Sequence, residues 1–178
     1  MSEQAAAQDT ADKEAGPRSA PSHSRTLARL VRGKNINETS LLATDYMNHF
    51  NEIIMLIELI PSMPDCLEDA MAWRPKSYTE HFQDSGFAEK DLAILAYENA
   101  PPRFREPFDS AVATMDTLVA RALERMSAAI ESGNEELLNE TAATATQNLR
   151  HFVDIASAII NGDELTVDQD KIDEILGT

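Results

Sequence analysis

The sequence predicts an all-α protein, a helical bundle built on a long antiparallel helical hairpin with several short helices. Two long stretches carry apolar residues at spacings of three and four, which places them on one face of a helix. The first stretch has Phe108, Val112, Met115, Val119, Ala122, Met126 and Ala129, and the second has Leu138, Ala142, Ala145, Leu149, Phe152, Ala156 and Ile159. No stretch alternates apolar and polar residues as a half-buried strand does.

The connection between these stretches predicts the hairpin. Ser132, Gly133 and Asn134 have the residue types of a helix end, a turn and a helix N-cap. Because so short a connection brings neighbouring helices side by side, the helices predicted at 107–131 and 134–161 should pair antiparallel.

A third long helix is predicted at 38–60. Asn37 is a favourable N-cap residue, and the apolar repeat continues to Pro61, which ends the helix. The repeat consists of Leu42, Tyr46, Phe50, Ile53, Ile57 and Ile60.

Three short helices are predicted between the long ones. Proline residues bound the first, at 65–73. Ser77 and Glu80 have the spacing of a capping box, which opens the second helix, and Gly86 ends it. The third is predicted at 89–99.

The N-terminal region is predicted to be a tail. Residues 1–24 are rich in Ala, Ser, Gln, Pro and charged residues, so they cannot bury enough apolar surface to fold. Residues 24–34, SRTLARLVRGK, form a short basic amphipathic stretch that either folds back on the acidic body, stays mobile or contacts an anionic partner. The predicted organisation is a disordered tail at 1–35, a bundle at 36–162 and an acidic amphipathic helix at 163–178.

The charge distribution argues against nucleic acid as a partner. The chain has 31 Asp and Glu against 15 Lys and Arg, a net charge of −16. Residues 1–34 hold six basic and four acidic residues, which leaves 9 basic and 27 acidic residues for the rest. Such a body repels phosphate backbones and anionic membrane surfaces.

Several absences in the sequence predict a cytoplasmic protein. The single cysteine, Cys66, cannot form an internal disulfide. The N-terminus has charges where a secretory signal needs an apolar stretch, and no window approaches the roughly 18 apolar residues that span a bilayer.

Three histidines share a pattern in which a carboxylate follows three residues later. The pairs are His49 and Glu52, His81 and Asp84, and His151 and Asp154. Because this spacing places both groups on one helix face, one interpretation is a metal-binding bundle in which the first and last pairs hold iron, zinc or manganese. The alternative needs no cofactor: the intervening Phe packs in the core, and His and acid lie at its edge.

The middle third of the chain gathers most of the aromatic residues. They include Trp73, Tyr78, Phe82, Phe87, Tyr97, Phe104 and Phe108. This set either lines a groove or forms a satellite core that ties the short helices to the main bundle. The satellite core is the favoured interpretation.

The C-terminal segment has a narrow apolar edge on an acidic helix. Its sequence VDQDKIDEILG is similar to the receiver-binding peptide of the flagellar switch protein FliM and resembles the acidic C-terminal tail of the chemotaxis phosphatase CheZ. The positions that match are Gln169, Asp170, Ile172, Asp173, Ile175 and Leu176.

The resemblance implies a helix that docks in a groove of a response regulator. The CheZ family resembles this chain also in its long antiparallel hairpin. Its catalytic Asp-x-x-x-Gln pattern is not found, because the residue four positions before Gln147 is Ala143. The resemblance therefore implies partner binding and not dephosphorylation. The alternative is an ordinary closing helix that packs on the bundle.

Together these features predict a non-enzymatic binding or regulatory protein with a protein partner such as a receiver domain. Neither a nucleophile motif nor a glycine-rich phosphate loop points to an enzyme. The alternatives are the metal-binding bundle and a structural protein that forms a homodimer through its hairpin.

Overall fold

A computed structural model describes residues 22–164 and 173–175 and has the predicted all-α fold, with no strand in this part of the chain. The α-helices are α1 (Ser22–Val31), α2 (Met47–Leu59), α3 (Cys66–Ala72), α4 (Tyr78–Asp84), α5 (Lys90–Glu98), α6 (Pro102–Glu131) and α7 (Glu135–Ile160). A short 3-10 helix, Thr44–Tyr46, precedes α2. None of the helices described combines the length and the apolar character that crossing a membrane requires.

Helices α6 and α7 form the predicted hairpin, with 30 and 26 residues. In the connection Gly133 has a φ of 66°, a left-handed conformation that glycine adopts without steric cost. The Asn134 side chain then accepts a hydrogen bond from the backbone N–H of Leu137, which confirms it as the N-cap of α7. Turn and cap together fix where one helix ends and the next begins.

Helix α2 packs across the hairpin, chiefly on α7, and completes a three-helix core. Ile53 and Ile57 of α2 are fully buried, as their spacing predicted. At the surface Arg150 of α7 donates a hydrogen bond of 2.6 Å to Glu58 of α2. Among the shorter helices, α3 packs on α2 and α6 of this core, and α4 packs on α5.

The N-terminal boundary differs from the prediction. Residues 22–35, assigned to a disordered tail, form α1 and a turn that packs on the bundle. Leu27 is 6% exposed and Val31 is fully buried, while the Lys34 ammonium donates to Glu89 at 3.0 Å. The basic stretch thus folds back on the acidic body, because burial of its apolar face adds to the attraction between opposite charges.

Helix α2 begins later than predicted, at Met47 instead of residue 38. The Asn37 carboxamide accepts from the backbone N–H groups of Thr39 and Ser40, so it caps a turn and not a helix. Leu41 then takes a φ of 62°, which breaks any helical continuation. Ser40 donates its hydroxyl to the carbonyl of Ile160 at 2.5 Å, which ties this turn to the end of α7.

Helix α6 begins earlier than predicted, at Pro102 instead of residue 107, so that Pro107 lies inside the helix. Proline lacks the N–H that would bond four residues back, at a cost of about 3 kcal/mol. Phe104 and Phe108, each 1% exposed, lie on either side of it. Burying such a side chain contributes about 1.5–3 kcal/mol, enough to hold the helix through the proline.

Candidate functional site

A cleft of about 540 Å³ lies between the end of α3 and the second half of α6. We call it the Trp73 groove. Its apolar walls include Met71, Trp73 and Pro75 on one side and Val119 and Leu123 of α6 on the other. A cleft of this size and apolar character, with a few polar groups, is typical of small-molecule sites.

Trp73 forms a rigid wall of the groove. Its indole N–H donates to the carbonyl oxygen of His49 at 3.3 Å. The indole also stacks on the His49 ring, with the centroids 4.5 Å apart and the planes 21° from parallel, and tilts against Phe50. These contacts leave Trp73 partly exposed on the groove side and fix its orientation before any ligand arrives.

Asp116 is the unusual polar group of the groove. Its Oδ1 is buried and has no hydrogen-bond partner. Burial raises the pKa of the carboxyl to about 6, so the group is largely ionised at neutral pH. A buried acceptor without a donor costs free energy.

The ionisable groups along the groove are mostly acidic. Glu124 and Glu131 lie at its α6 edge, and both are exposed. The cation of the lining, Arg74, donates from its guanidinium to the carbonyl oxygens of Met71 and Trp73, at the end of α3. Its charge is therefore held at the carbonyl end of α3, where the helix dipole is negative.

An aromatic cluster supports the groove from behind. Tyr46, Tyr78 and Phe108 are buried, and Tyr78 stacks on Tyr97 with the ring centroids 4.4 Å apart. The Tyr46 hydroxyl donates to the Lys76 carbonyl at 2.7 Å, which holds the segment after Trp73. Most of the aromatic set thus forms the predicted satellite core. Trp73 fits the alternative prediction, because it lines a groove.

His49 and His81 approach each other within this cluster, with ring centroids 6.1 Å apart. His49 is 7% exposed and its Nε2 has no partner. Burial, with the nearby His81 and Lys76, lowers its pKa to about 4. His81 contacts Asp45 through Nε2 at 3.3 Å. His49 is therefore neutral at physiological pH and serves as the stacking partner of Trp73.

The residues predicted for a metal site lie in different surroundings. His49 is buried against Trp73, whereas Glu52, His151 and Asp154 are exposed. Within the described ranges, no group of three or more His, Cys, Asp or Glu side chains is placed to hold a metal ion. The helical spacing of each pair is real, but α2 and α7 do not bring the two pairs together into such a group.

No family model, curated protein or solved structure matches this chain.

The predicted docking segment is described only in part. Gln169, Asp170, Ile172 and Leu176 lie outside the described residues. Asp173 and Ile175 belong to a helical turn, and Ile175 is half-buried against the hydrophobic core.

Ile175 lies in a smaller groove between α6 and α7, of about 230 Å³, which we call the C-terminal groove. Its apolar lining includes Leu118 and Ala145, and its polar lining includes Arg121 and Arg125. One residue of the predicted apolar edge thus packs on the chain's own bundle.

The sequence analysis missed Asp116. A signal for it exists, because Asp116 stands four residues after Val112 and three before Val119, on the flank of the apolar face of α6. An acidic residue in such a position either pairs with another residue or serves a ligand.

Proposed function

We propose that this chain is a non-enzymatic binding and regulatory protein whose C-terminal segment docks a response-regulator-like partner. The supporting observation is the position of Ile175, a residue of the predicted docking edge, in the C-terminal groove. An apolar side chain that is only half-buried in its own groove can exchange that groove for another one of similar chemistry.

Charge complementarity favours the same role. The segment 163–178 carries six acidic residues and one lysine, and the C-terminal groove has two cations, Arg121 and Arg125, against one carboxylate, Glu140. The segment therefore carries both elements of a docking helix, an apolar edge and an acidic surface. A receiver domain that offers an apolar groove with basic residues would compete with the chain's own groove.

Titration against purified receiver domains tests the proposal. We expect the peptide 163–178 to bind more tightly than the full chain, because in the full chain the C-terminal groove competes for the same edge. A full chain with Ile175→Asp should lose binding, since an ionised side chain cannot enter an apolar groove. Equal binding by the full chain and by this variant would refute the proposal.

The competition itself can be tested on the groove. Thr144 is exposed and lines the C-terminal groove, so Thr144→Glu should repel the acidic segment, release it and tighten receiver binding. Gln147→Glu is the matched control, because Gln147 is exposed on α7 outside the groove. If both variants bind the receiver alike, the groove does not restrain the segment.

Self-association also stays a prediction. The sequence suggested the hairpin as the contact surface, whereas the structure exposes apolar side chains on and near α2. Met55 and Met63 are 57% and 54% exposed, and Leu59 between them is 39% exposed. These residues lie on and just after α2, not on the hairpin. Light scattering of the wild-type protein and of Met55→Lys would measure whether a dimer forms through them.

A further inference from the structure

The Trp73 groove has the features of a second ligand site. Its α6 residues Asp116, Leu123 and Ser127 lie on one side of the helix, whereas Leu118 and Arg125 of the C-terminal groove lie on the opposite side. We propose that the Trp73 groove binds an organic cation, a protonated amine that carries an apolar alkyl body. This goes beyond the proposed docking function, because it rests on other residues.

The walls select the body of the ligand. The groove follows α6 from Asp116 to Glu131, a length of about 22 Å at 1.5 Å per residue. Met71, Val119 and Leu123 present aliphatic surface along it, and Trp73 adds a flat aromatic wall. An elongated apolar chain would bury its surface here without meeting the aromatic core behind.

Asp116 selects the head group. Its buried Oδ1 has no donor, and burial is the cause of its raised pKa, with no neighbouring cation that opposes it. Arg74 is bonded to carbonyls at the end of α3, and no ion pair joins it to Asp116 among the described residues. An ammonium group in the groove would compensate the charge of this carboxylate.

The remaining charges exclude the other head groups. Glu124 and Glu131 line the groove and repel a carboxylate or phosphate. A neutral alcohol could donate one hydrogen bond, but it would leave the charge of Asp116 uncompensated. The groove thus discriminates between head groups by charge and binds the alkyl body by apolar contact.

A series of ligands with one body and three head groups tests this directly. Octylamine, octanol and octanoate share the alkyl chain, and fluorescence of Trp73, the chain's single tryptophan, reports binding in the groove. We expect octylamine to bind about 10-fold or more tightly than octanol, and octanoate more weakly still. Octylamine that binds no more tightly than octanol would overturn the proposal.

Two variants localise the effect. Asp116→Asn should reduce octylamine affinity to that of octanol while it leaves octanol binding unchanged. Asp109→Asn is the matched control, since Asp109 is a carboxyl on α6 that accepts a hydrogen bond from the Tyr97 hydroxyl and does not line the groove. Loss of octylamine binding in both variants would assign the effect to the net charge of the protein, and loss in neither would show that Asp116 does not hold the ammonium. Either outcome would refute the site.

The wild-type protein provides a test without substitution. Octylamine stays protonated up to a pH of about 10. Its affinity should therefore fall as the pH decreases through about 6, where Asp116 takes up its proton, while octanol affinity stays constant. An octylamine affinity that does not change over this range would also overturn the proposal.

Discussion

At the scale of single residues, the surroundings of Asp116 make its carboxylate lower the stability of the folded protein. Its pKa in the folded protein is about 6, above the ordinary value of about 3.9, so folding favours the protonated form. The carboxylate therefore destabilises the fold in full above pH 6, and this effect disappears as the pH falls below about 4. Residues that oppose the stability of their own fold are often retained for binding.

We predict that Asp116→Asn stabilises the free protein. At pH 7.5 the free energy of unfolding should rise by about 1–2 kcal/mol, because a buried charge without a partner is removed. Urea denaturation at constant slope would measure it. Glu124→Gln, on the exposed edge of the same groove, should change the value by less than about 0.5 kcal/mol. No gain in Asp116→Asn would mean that solvent already satisfies the carboxylate.

His49 has the opposite pH dependence, with a folded pKa of about 4 below the ordinary value of about 6.5. Its neutral ring contributes stability above pH 6.5, and this contribution is lost as the pH falls to 4. The charged or titratable neighbours are His81 and Lys76. In the wild type, Asp116 offsets this loss over much of the same range.

The Asp116→Asn variant should therefore be more sensitive to acid than the wild type. Its stability should fall as the pH decreases from 6.5 to 4, whereas that of the wild type should stay flatter. Urea midpoints at half-unit pH steps would measure the difference between the two proteins. Parallel pH profiles would contradict the opposing roles of Asp116 and His49.

At the scale of elements, the hairpin connection offers a clean comparison. Gly133 has a φ of 66°, while Gly86 has no positive φ, and a methyl group at either would meet open space. Gly133→Ala should cost about 1–2 kcal/mol, because a left-handed alanine is strained. Gly86→Ala should be neutral or stabilise by up to about 1 kcal/mol. Thermal unfolding of the two variants would test this, and equal melting temperatures would contradict it.

Elements whose signals are local were predicted well from the sequence. The capping box of Ser77 and Glu80 opens α4 as expected, because its hydrogen bonds join residues three positions apart. Elements that depend on contacts with residues distant in the sequence were predicted less well. Helix α2 starts late because the hydroxyl of Ser40 donates to the carbonyl of Ile160. Helix α1 forms because Val31 is buried in the bundle. No local pattern contains these contacts.

The same distinction separates the candidate sites. The sequence places an imidazole and a carboxylate on one face of each helix, but it cannot say whether His49 and His151 meet. It also indicates an aromatic cluster without revealing which ring reaches the surface. Trp73 lines the groove because His49 and Phe50 hold its ring in place, and both come from another helix, which no local pattern reveals.

At the scale of the whole molecule, the net charge of −16 produces self-repulsion in the compact state. We predict that the melting temperature at pH 7.5 rises by about 2–5 °C when NaCl is raised from about 20 to about 300 mM. The exposed ion pairs that salt also screens, such as that of Arg32 with Glu38, contribute little.

The control for this prediction is a change of pH in the same experiment. Near the isoelectric point of about 4.5 the net charge vanishes, so added salt should no longer raise the melting temperature. Calorimetry at both pH values would separate repulsion from other effects of salt. An equal rise at both values would mean that repulsion is not the cause.

Helix α6 is bordered on three sides between Leu118 and Arg125, by the core, by the Trp73 groove and by the C-terminal groove. Almost any change of side chain along these two turns alters the core or one of the two grooves. Neutral drift therefore has little room in this stretch. A replacement that suits one border must be tolerated by its neighbours on the other two, so compensating pairs of changes should concentrate here during divergence.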